Sequence, residues 1–193
     1  MPAEIRVVVL LLHLAAMLFM AAPLYMLIIV NERAQFKVPP GYNTDRYLEN
    51  IIKGQPARCY AYLAVILVTG ILLTWTRGWI LTDWALIIKL VAFTALVWLL
   101  SYVHFTIQPH IESIFAECKP GEEVPTEKRP TLMAWRKRRK RLSAICLFLV
   151  LTSLVMGVRL TWSLLPWLAI VFLAVAALFA WRVYSKPIRF GWF

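Results

Sequence analysis

Five long apolar stretches, separated by shorter polar segments, dominate the pattern of the chain. Each is long enough to cross a hydrocarbon core of about 30 Å as a helix that rises about 1.5 Å per residue. The stretches are continuously apolar and do not alternate, which favours helices over the strands of a membrane barrel. The pattern therefore predicts an all-α, polytopic integral membrane protein built as a five-helix transmembrane bundle. The predicted helices cover about residues 6–30, 59–75, 79–106, 142–158 and 160–181.

Two polar segments on one side of the predicted bundle, at about 31–57 and 108–141, are interpreted as cytoplasmic loops. The first contains the stretch 47–53, for which we expect one or two turns of helix at the level of the lipid headgroups. The second is rich in proline and is expected to be irregular up to about residue 134. No internal repeat is visible, and residues 1–193 are interpreted as a single transmembrane domain.

The composition narrows the class of protein further. The chain is 61% hydrophobic and 16% charged, whereas a soluble domain is about 45–50% apolar and about 25% charged. This balance excludes a disordered chain, a nucleic-acid-binding domain and a small disulfide-rich scaffold. Spans of about 20 residues each also leave little room for a separate soluble enzyme domain.

The distribution of the 21 Lys and Arg residues predicts the orientation of the bundle. Arg6, Arg77 and Arg159 fall on one side of the predicted membrane, and Lys89 lies inside it. The remaining basic residues all fall in the two loops and the C-terminal tail. The positive-inside rule then places the N-terminus outside and the C-terminus in the cytoplasm of a bacterial-type inner (plasma) membrane.

An unbroken run of basic residues, 136–141, ends where the fourth predicted span begins. Together with the other loop residues it accounts for the net charge of +11. Its position next to a span favours a topology anchor that also contacts anionic lipid at the cytoplasmic face, and not a nucleic-acid site.

Two ionisable residues, His13 and Lys89, lie well inside the predicted spans. A charge at the centre of a spanning helix costs about 2.5–3.5 kcal/mol on insertion scales, so such residues are functional candidates by default. Counted from the outer ends of their helices, His13 is about 10 Å deep and Lys89 about 14 Å deep. Both are therefore expected in the outer half of the bilayer. Whether they face each other depends on helix rotation, which the pattern leaves open.

The chemistry of these residues suggests a cofactor site. A neutral imidazole is the commonest protein ligand for metals and for haem iron, so His13 is a candidate ligand. Met17 lies on the same helix face as His13, and Lys89 is a candidate partner for an anionic group such as a porphyrin propionate. The alternatives are a histidine hydrogen-bonded to a neighbouring helix, with methionine as a gap filler, and a lysine that reaches the outer surface.

His104 and His110, near the cytoplasmic end of the third span, are weaker candidates for a metal site. They do not share a helical face, and they would need Glu112 and Cys118 to complete a site in the loop. The alternative is that both are ordinary interfacial histidines. His13 and His104 differ by about 20 Å in predicted depth, so they are not expected to be the two axial ligands of one haem.

The third span contains the sequence WALIIKLVAF at 84–93, and Pro109 follows at its cytoplasmic end. This segment resembles the copper-resistance D family of membrane proteins, which carry a lysine early in such a helix and a proline near its end. The sequence TGILL at 69–73 resembles the glycine-bearing end of the family's preceding helix, and His13 resembles its first-helix histidine. The resemblance covers roughly residues 8–112.

The related HemJ-type protoporphyrinogen oxidases share a first-helix histidine and a third-helix lysine. Resemblance to that group implies binding of b-type haem, with His13 and Lys89 at the matching positions.

Two functional hypotheses follow. The first is a membrane-embedded redox or metal-handling protein that binds a b-type haem, or copper, in the outer half of the bundle. The second is a non-catalytic accessory subunit of a larger respiratory or photosynthetic complex, in which no cofactor is bound. Its partners would then be other membrane subunits or further copies of the chain, docked on a small-residue stripe formed by Ala174, Ala176 and Ala177. No residue is assigned a catalytic role.

Overall fold

The computed structural model describes residues 2–31, 40, 43–78, 83–119 and 122–185, and every regular element within them is helical. Residues 32–39 and 41–42 of the first loop, 79–82 at the start of the third predicted span, 120–121 of the second loop and the tail after residue 185 lie outside these ranges. The elements are α1 (Ala3–Asn31), α2 (Asn43–Lys53), α3 (Gln55–Arg77), α4 (Trp84–Tyr102), a π-helical turn (Val103–Ile107), α5 (Gln108–Ala116), α6 (Arg129–Trp162) and α7 (Pro166–Ser185).

Five helical segments among the described residues are long and apolar enough to span a membrane. They are α1, α2 with α3, α4 through α5, α6 and α7. The prediction of an all-α chain with five such helices is therefore confirmed. Insertion into a bilayer and the orientation of the bundle stay predictions.

The third long helix passes through Pro109 without a break. A proline inside an α-helix removes one N–H, and its ring clashes with the carbonyl four residues earlier. That residue, Phe105, lies in the π-helical turn Val103–Ile107, which widens the helix at this point. Pro109 then occupies the first turn of α5, where a missing N–H matters little. The helix consequently continues to Ala116, beyond the predicted end near residue 106.

The loop predicted to be irregular is largely structured. α6 begins at Arg129, well before the predicted start at 142, with Pro130 in its first turn. The basic run is helical, in keeping with the high helix propensity of Lys and Arg. The segment between α5 and α6 packs through buried side chains, among them Val124, whose N–H bonds to the Pro40 carbonyl at 2.9 Å. The buried cluster at this level comprises Ile107, Ile111, Ile114, Phe115, Cys118, Val124 and Leu132.

The long helices pack mainly in pairs: α1 against α3, α4 against α6, and α6 also against α7. The small residues of α7 that are buried are Ala169, Ala176 and Ala180. They lie on one face, because spacings of seven and four residues correspond to about two turns and one turn of an α-helix. The expected stripe of Ala174, Ala176 and Ala177 is therefore split: Ala176 is buried within the fold, whereas the other two are exposed.

The end of the bundle that carries α2 and α5 is closed by a buried ionic cluster. Arg139 is only 2% exposed; its Nη1 donates to Gln108 Oε1 at 2.9 Å, and both terminal nitrogens donate to the Glu49 carboxylate. Arg136 donates to Asp45 at 2.9 Å and to Glu49 at 3.2 Å. The basic run therefore has a structural role within the chain, since two of its arginines hold α2 against α6. Its contact with lipid stays a prediction.

The helix α2 is amphipathic in a way that explains this docking. Glu49 is buried against α6, while Tyr47 on the other side is 67% exposed. Arg46 adds a second attachment, because it donates to the carbonyls of Cys118 at 3.0 Å and Lys119 at 2.9 Å. The helix expected at 47–53 is present but longer, at Asn43–Lys53, and it is anchored to the rest of the protein. Its position at the level of the headgroups stays a prediction.

We expect Arg139→Met to lower the free energy of unfolding by about 3 kcal/mol, because removing one partner leaves a buried carboxylate undersatisfied. The value lies at the low end of the usual range because Arg136 still bonds to Glu49. Thermal unfolding in detergent measures the change. Arg138→Met, at an exposed position on the same turn, is the control, and adding Glu49→Met should restore most of the loss. Equal melting of the two single variants would contradict this.

The predicted orientation is tested by labelling single cysteines in intact cells. Leu165, between α6 and α7, and Thr126, before α6, are exposed at opposite ends of the bundle. In a background without native cysteines, we expect Leu165→Cys to react with a membrane-impermeant maleimide in intact cells. Thr126→Cys should react only after the membrane is permeabilised, and the reverse result would invert the assignment.

Candidate functional site

The helix ends around the candidate site are fixed by local interactions. α3 ends at Gly78, whose positive φ of 64° suits glycine and lets its N–H bond to the carbonyls of Thr74 and Trp75. α4 begins at Asp83, whose side chain accepts from the Ala85 N–H at 2.8 Å. Arg159 lies 4.5 Å from the centre of the Trp84 ring and donates to the Leu164 carbonyl, which joins α4, α6 and the turn before α7.

Near these helix ends lies a partly open cavity of about 540 Å³, which is lined by α1, α3, α4 and α6. This volume falls within the range of about 300–1,000 Å³ typical of small-molecule and cofactor sites. The cavity extends from Met20 to Trp75, Gly78 and Trp162, at the end of the bundle that carries Arg77 and Arg159. With the predicted orientation, this is the outer half of the membrane.

His13 and Lys89 both line this cavity. The two side chains come from α1 and α4, which are far apart in sequence. Helix rotation, which the sequence pattern left open, therefore brings the two candidate residues into one site.

The hydrogen bonds of His13 define which ring nitrogen is available. His13 is 8% exposed, and its Nδ1 lies 2.8 Å from Thr69 Oγ1. The single hydroxyl proton of Thr69 is directed at the carbonyl of Val65, at 2.6 Å. We infer that Thr69 accepts from His13, so that Nδ1 carries the proton and Nε2 keeps its lone pair. A ligating histidine typically has this arrangement, in which the second ring nitrogen donates to a fixed acceptor.

Two glycines stand beside the ionisable groups. A Cβ placed on Gly70 would lie 3.5 Å from His13 Cε1, and one placed on Gly157 would lie 3.5 Å from Lys89 Nζ. Either position tolerates a methyl group, whereas a larger side chain would enter the cavity. Gly70 belongs to the TGILL segment noted in the sequence, but sequence reasoning missed Gly157, whose signal was a small residue on the helix that faces Lys89.

The described lining of the cavity contains a positive side chain but no negative one. No Asp or Glu occurs among the described residues that line it, so Lys89 supplies a cation without a carboxylate partner in the lining. Met17 and Met20 add thioether sulfurs, and Ser153 adds a hydroxyl. The remaining lining is mainly apolar, so the cavity suits a ligand that is largely apolar and carries negative charge.

The weaker candidates lie elsewhere and do not converge. His104 stacks on Phe105 with ring centres 4.6 Å apart, and its buried Nδ1 has no hydrogen-bond partner among the described residues. His110 Nδ1 bonds to the Thr106 carbonyl, and its ring stacks on Trp135 at 4.4 Å.

Glu112 and Cys118, the proposed companions of these histidines, are also engaged. Glu112 pairs with Lys53 at 2.8 Å, and Cys118 Sγ bonds to the Ile114 carbonyl. In the parts of the chain that the structure describes, no group of three or more His, Cys, Asp and Glu side chains could hold a metal ion.

Comparison of the chain with protein-family models, curated proteins and solved structures gives no match. The resemblance to the copper-resistance D and HemJ-type groups therefore stays a prediction, and the interpretation of the cavity depends on its own chemistry.

We expect Thr69→Val to lower the free energy of unfolding by about 1–3 kcal/mol, because the buried His13 ring loses its side-chain hydrogen-bond partner on α3. The thermal unfolding midpoint in detergent measures this change. Thr152→Val is the matched control, because Thr152 is equally buried at 6% and bonds only to the Phe148 carbonyl of its own helix. A loss no larger than the control's would show that the interhelical bond contributes little.

Proposed function

We propose that this cavity binds a b-type haem and that the protein is a membrane-embedded redox protein. The observation that carries the proposal is the presence, in one cavity, of an imidazole whose free Nε2 is held in place and a lysine with no carboxylate partner in the lining. Haem contains an iron that neutral imidazole binds, an apolar ring and two carboxylates. These features correspond to His13, the apolar lining and Lys89.

Each residue has a distinct role in the proposal. His13 ligates the iron through Nε2, and Thr69 holds the tautomer and orientation of the ring from the other side. Lys89 binds a propionate. Met17 and Met20 contribute thioether sulfur to the lining. Bound haem supplies one-electron transfer; the chain's own residues position it and exclude water from the apolar cavity.

Lys89 also favours haem over a bare copper ion. Thioethers and imidazole together suit Cu(I), so Met17, Met20 and His13 form a plausible donor set by type. A fixed ammonium group in the same apolar cavity would repel a metal cation, and the described lining supplies no carboxylate to balance it. An anionic ligand, by contrast, gains from that charge.

The first test is the visible spectrum of the gently solubilised protein, oxidised and then reduced with dithionite, alongside its iron and copper content. We expect a Soret band and a reduced α-band in the wild type, and loss of both in His13→Ala. His110→Ala, which removes an imidazole outside the cavity, is the matched control and should keep the spectrum.

Two outcomes would overturn the proposal. One is a protein without a haem spectrum both as purified and after haem is added, which would favour the accessory-subunit alternative. The other is copper bound at one ion per chain and lost in His13→Ala, which would favour the metal-handling alternative.

A second test concerns the role of Lys89. We expect Lys89→Met to weaken haem binding at least about tenfold, because a charge-assisted hydrogen bond contributes about 1.5–3 kcal/mol. The shape of the spectrum should be unchanged because the iron ligand is the same, and Lys89→Arg should restore most of the affinity. Haem titration measures the affinity. An unchanged Kd in Lys89→Met would mean that Lys89 does not contribute to haem binding.

A further inference from the structure

A second and larger cavity, of about 1340 Å³, lies at the other end of the bundle. It is bounded by α6, by the last turns of α7 and, at one edge, by α2. It exceeds the range of about 300–1,000 Å³ usual for small-molecule sites. With the predicted orientation, it lies at the cytoplasmic surface of the membrane, far from His13 and Lys89.

The α6 side of this cavity changes from basic to apolar along its length. After Met133 at the start of the lining, Lys137, Lys140 and Arg141 line the cavity, and Ala144, Ile145 and Phe148 follow on the same face. The distance along the helix from Lys140 to Phe148 is about 12 Å at 1.5 Å per residue. A phospholipid presents the same order, with an anionic headgroup at the surface and acyl chains towards the membrane centre.

The basic residues of the cavity are available to a ligand. Arg136 is already bonded to Asp45 and Glu49, and Asp45 is the one acidic residue among the described lining. The structure shows no ion pair from Lys137, Lys140 or Arg141 to any carboxylate of the described ranges. Three positive charges therefore face a cavity whose acidic group is neutralised by another partner.

The opposite wall, from α7, is apolar. Ala177 and Trp181 line it, and Trp181 is 64% exposed. The Tyr184 hydroxyl also lies in this wall but donates to the Leu24 carbonyl at 2.7 Å, so it is already used. Trp181 thus lines the same cavity as the basic residues, and tryptophan is typical of the interface between headgroups and acyl chains.

We propose that this cavity is a specific site for an anionic phospholipid. The headgroup phosphate binds Lys137, Lys140 and Arg141, and an acyl chain lies along Ile145 and Phe148 of α6 and Ala177 of α7. A free phosphate ion would satisfy the basic residues alone and would leave the apolar part of the cavity unfilled. The proposal is independent of haem, since the two cavities share no described lining residue.

The experiment is native mass spectrometry of the full chain in detergent, titrated with dioleoyl phosphatidylglycerol or dioleoyl phosphatidylcholine. We expect the wild type to bind phosphatidylglycerol in preference to phosphatidylcholine. The double variant Lys140→Gln/Arg141→Gln should weaken phosphatidylglycerol binding roughly 30-fold, from about fivefold for each basic residue removed. Inorganic phosphate at millimolar concentration should not displace the lipid.

The charge-matched control is Arg138→Gln/Arg182→Gln, which removes two exposed cations at the same end of the bundle. Neither residue lines the cavity, and Arg138 instead lies over the rings of Tyr102 and Trp135. This variant should bind phosphatidylglycerol like the wild type. Equal losses in the two double variants would mean a diffuse surface attraction and would overturn the proposal of a specific site.

A second variant tests the apolar half of the site without changing charge. Ala177→Trp places an indole in the apolar wall at an exposed position, where no buried core is disturbed. We expect it to lower phosphatidylglycerol affinity while the thermal unfolding midpoint of the lipid-free protein is unchanged. Equal binding of both lipids by the wild type, displacement by inorganic phosphate, or undiminished binding by Ala177→Trp would each overturn the proposal.

Discussion

The structure depends on one constraint: a polar group inside an apolar bundle must find its partner within the protein, because hydrocarbon supplies none. The cluster of Arg139, Glu49 and Gln108 meets this constraint completely and ties α2, α5 and α6 together. His13 meets it with one ring nitrogen, through Thr69, and keeps the other free. Lys89 faces a cavity whose described lining has no carboxylate. The second ring nitrogen of His13 and the ammonium group of Lys89 are therefore available to a ligand of this cavity.

The two ends of the bundle consequently differ in chemistry. At the end with α2 and α5, charges are numerous; some are neutralised internally, and others line the larger cavity. At the other end, a few charges are set among apolar side chains, and helix ends capped by Gly78 and Asp83 border a narrower cavity. A charge is worth more in the second setting, because the local dielectric constant is lower and fewer waters compete. This contrast is why the proposed cofactor and the proposed lipid occupy opposite ends.

Helix continuity connects the two ends. The π-helical turn Val103–Ile107 lets the helix that carries Lys89 continue past Pro109 into α5, which supplies Gln108 to the ionic cluster. α6 also connects the two ends of the bundle, since it carries Arg139 of the ionic cluster near its start and Gly157 of the His13 cavity near its end. The cavity with His13 and the ionic cluster are thus built on shared rigid elements, which fixes their separation.

The sequence by itself determined the number and character of the long helices, because about 20 consecutive apolar residues have few alternatives to a spanning helix. It also singled out His13 and Lys89, since ionisable residues are rare and costly in such segments. Helix rotation, and with it the convergence of these two side chains, was decided only by tertiary packing, because a continuously apolar helix shows no preferred face in its pattern. The same holds for the basic run: its composition predicted contact with lipid, but the pairing of Arg136 and Arg139 with α2 depends on residues some 90 positions away, and no local pattern encodes a contact between such distant side chains.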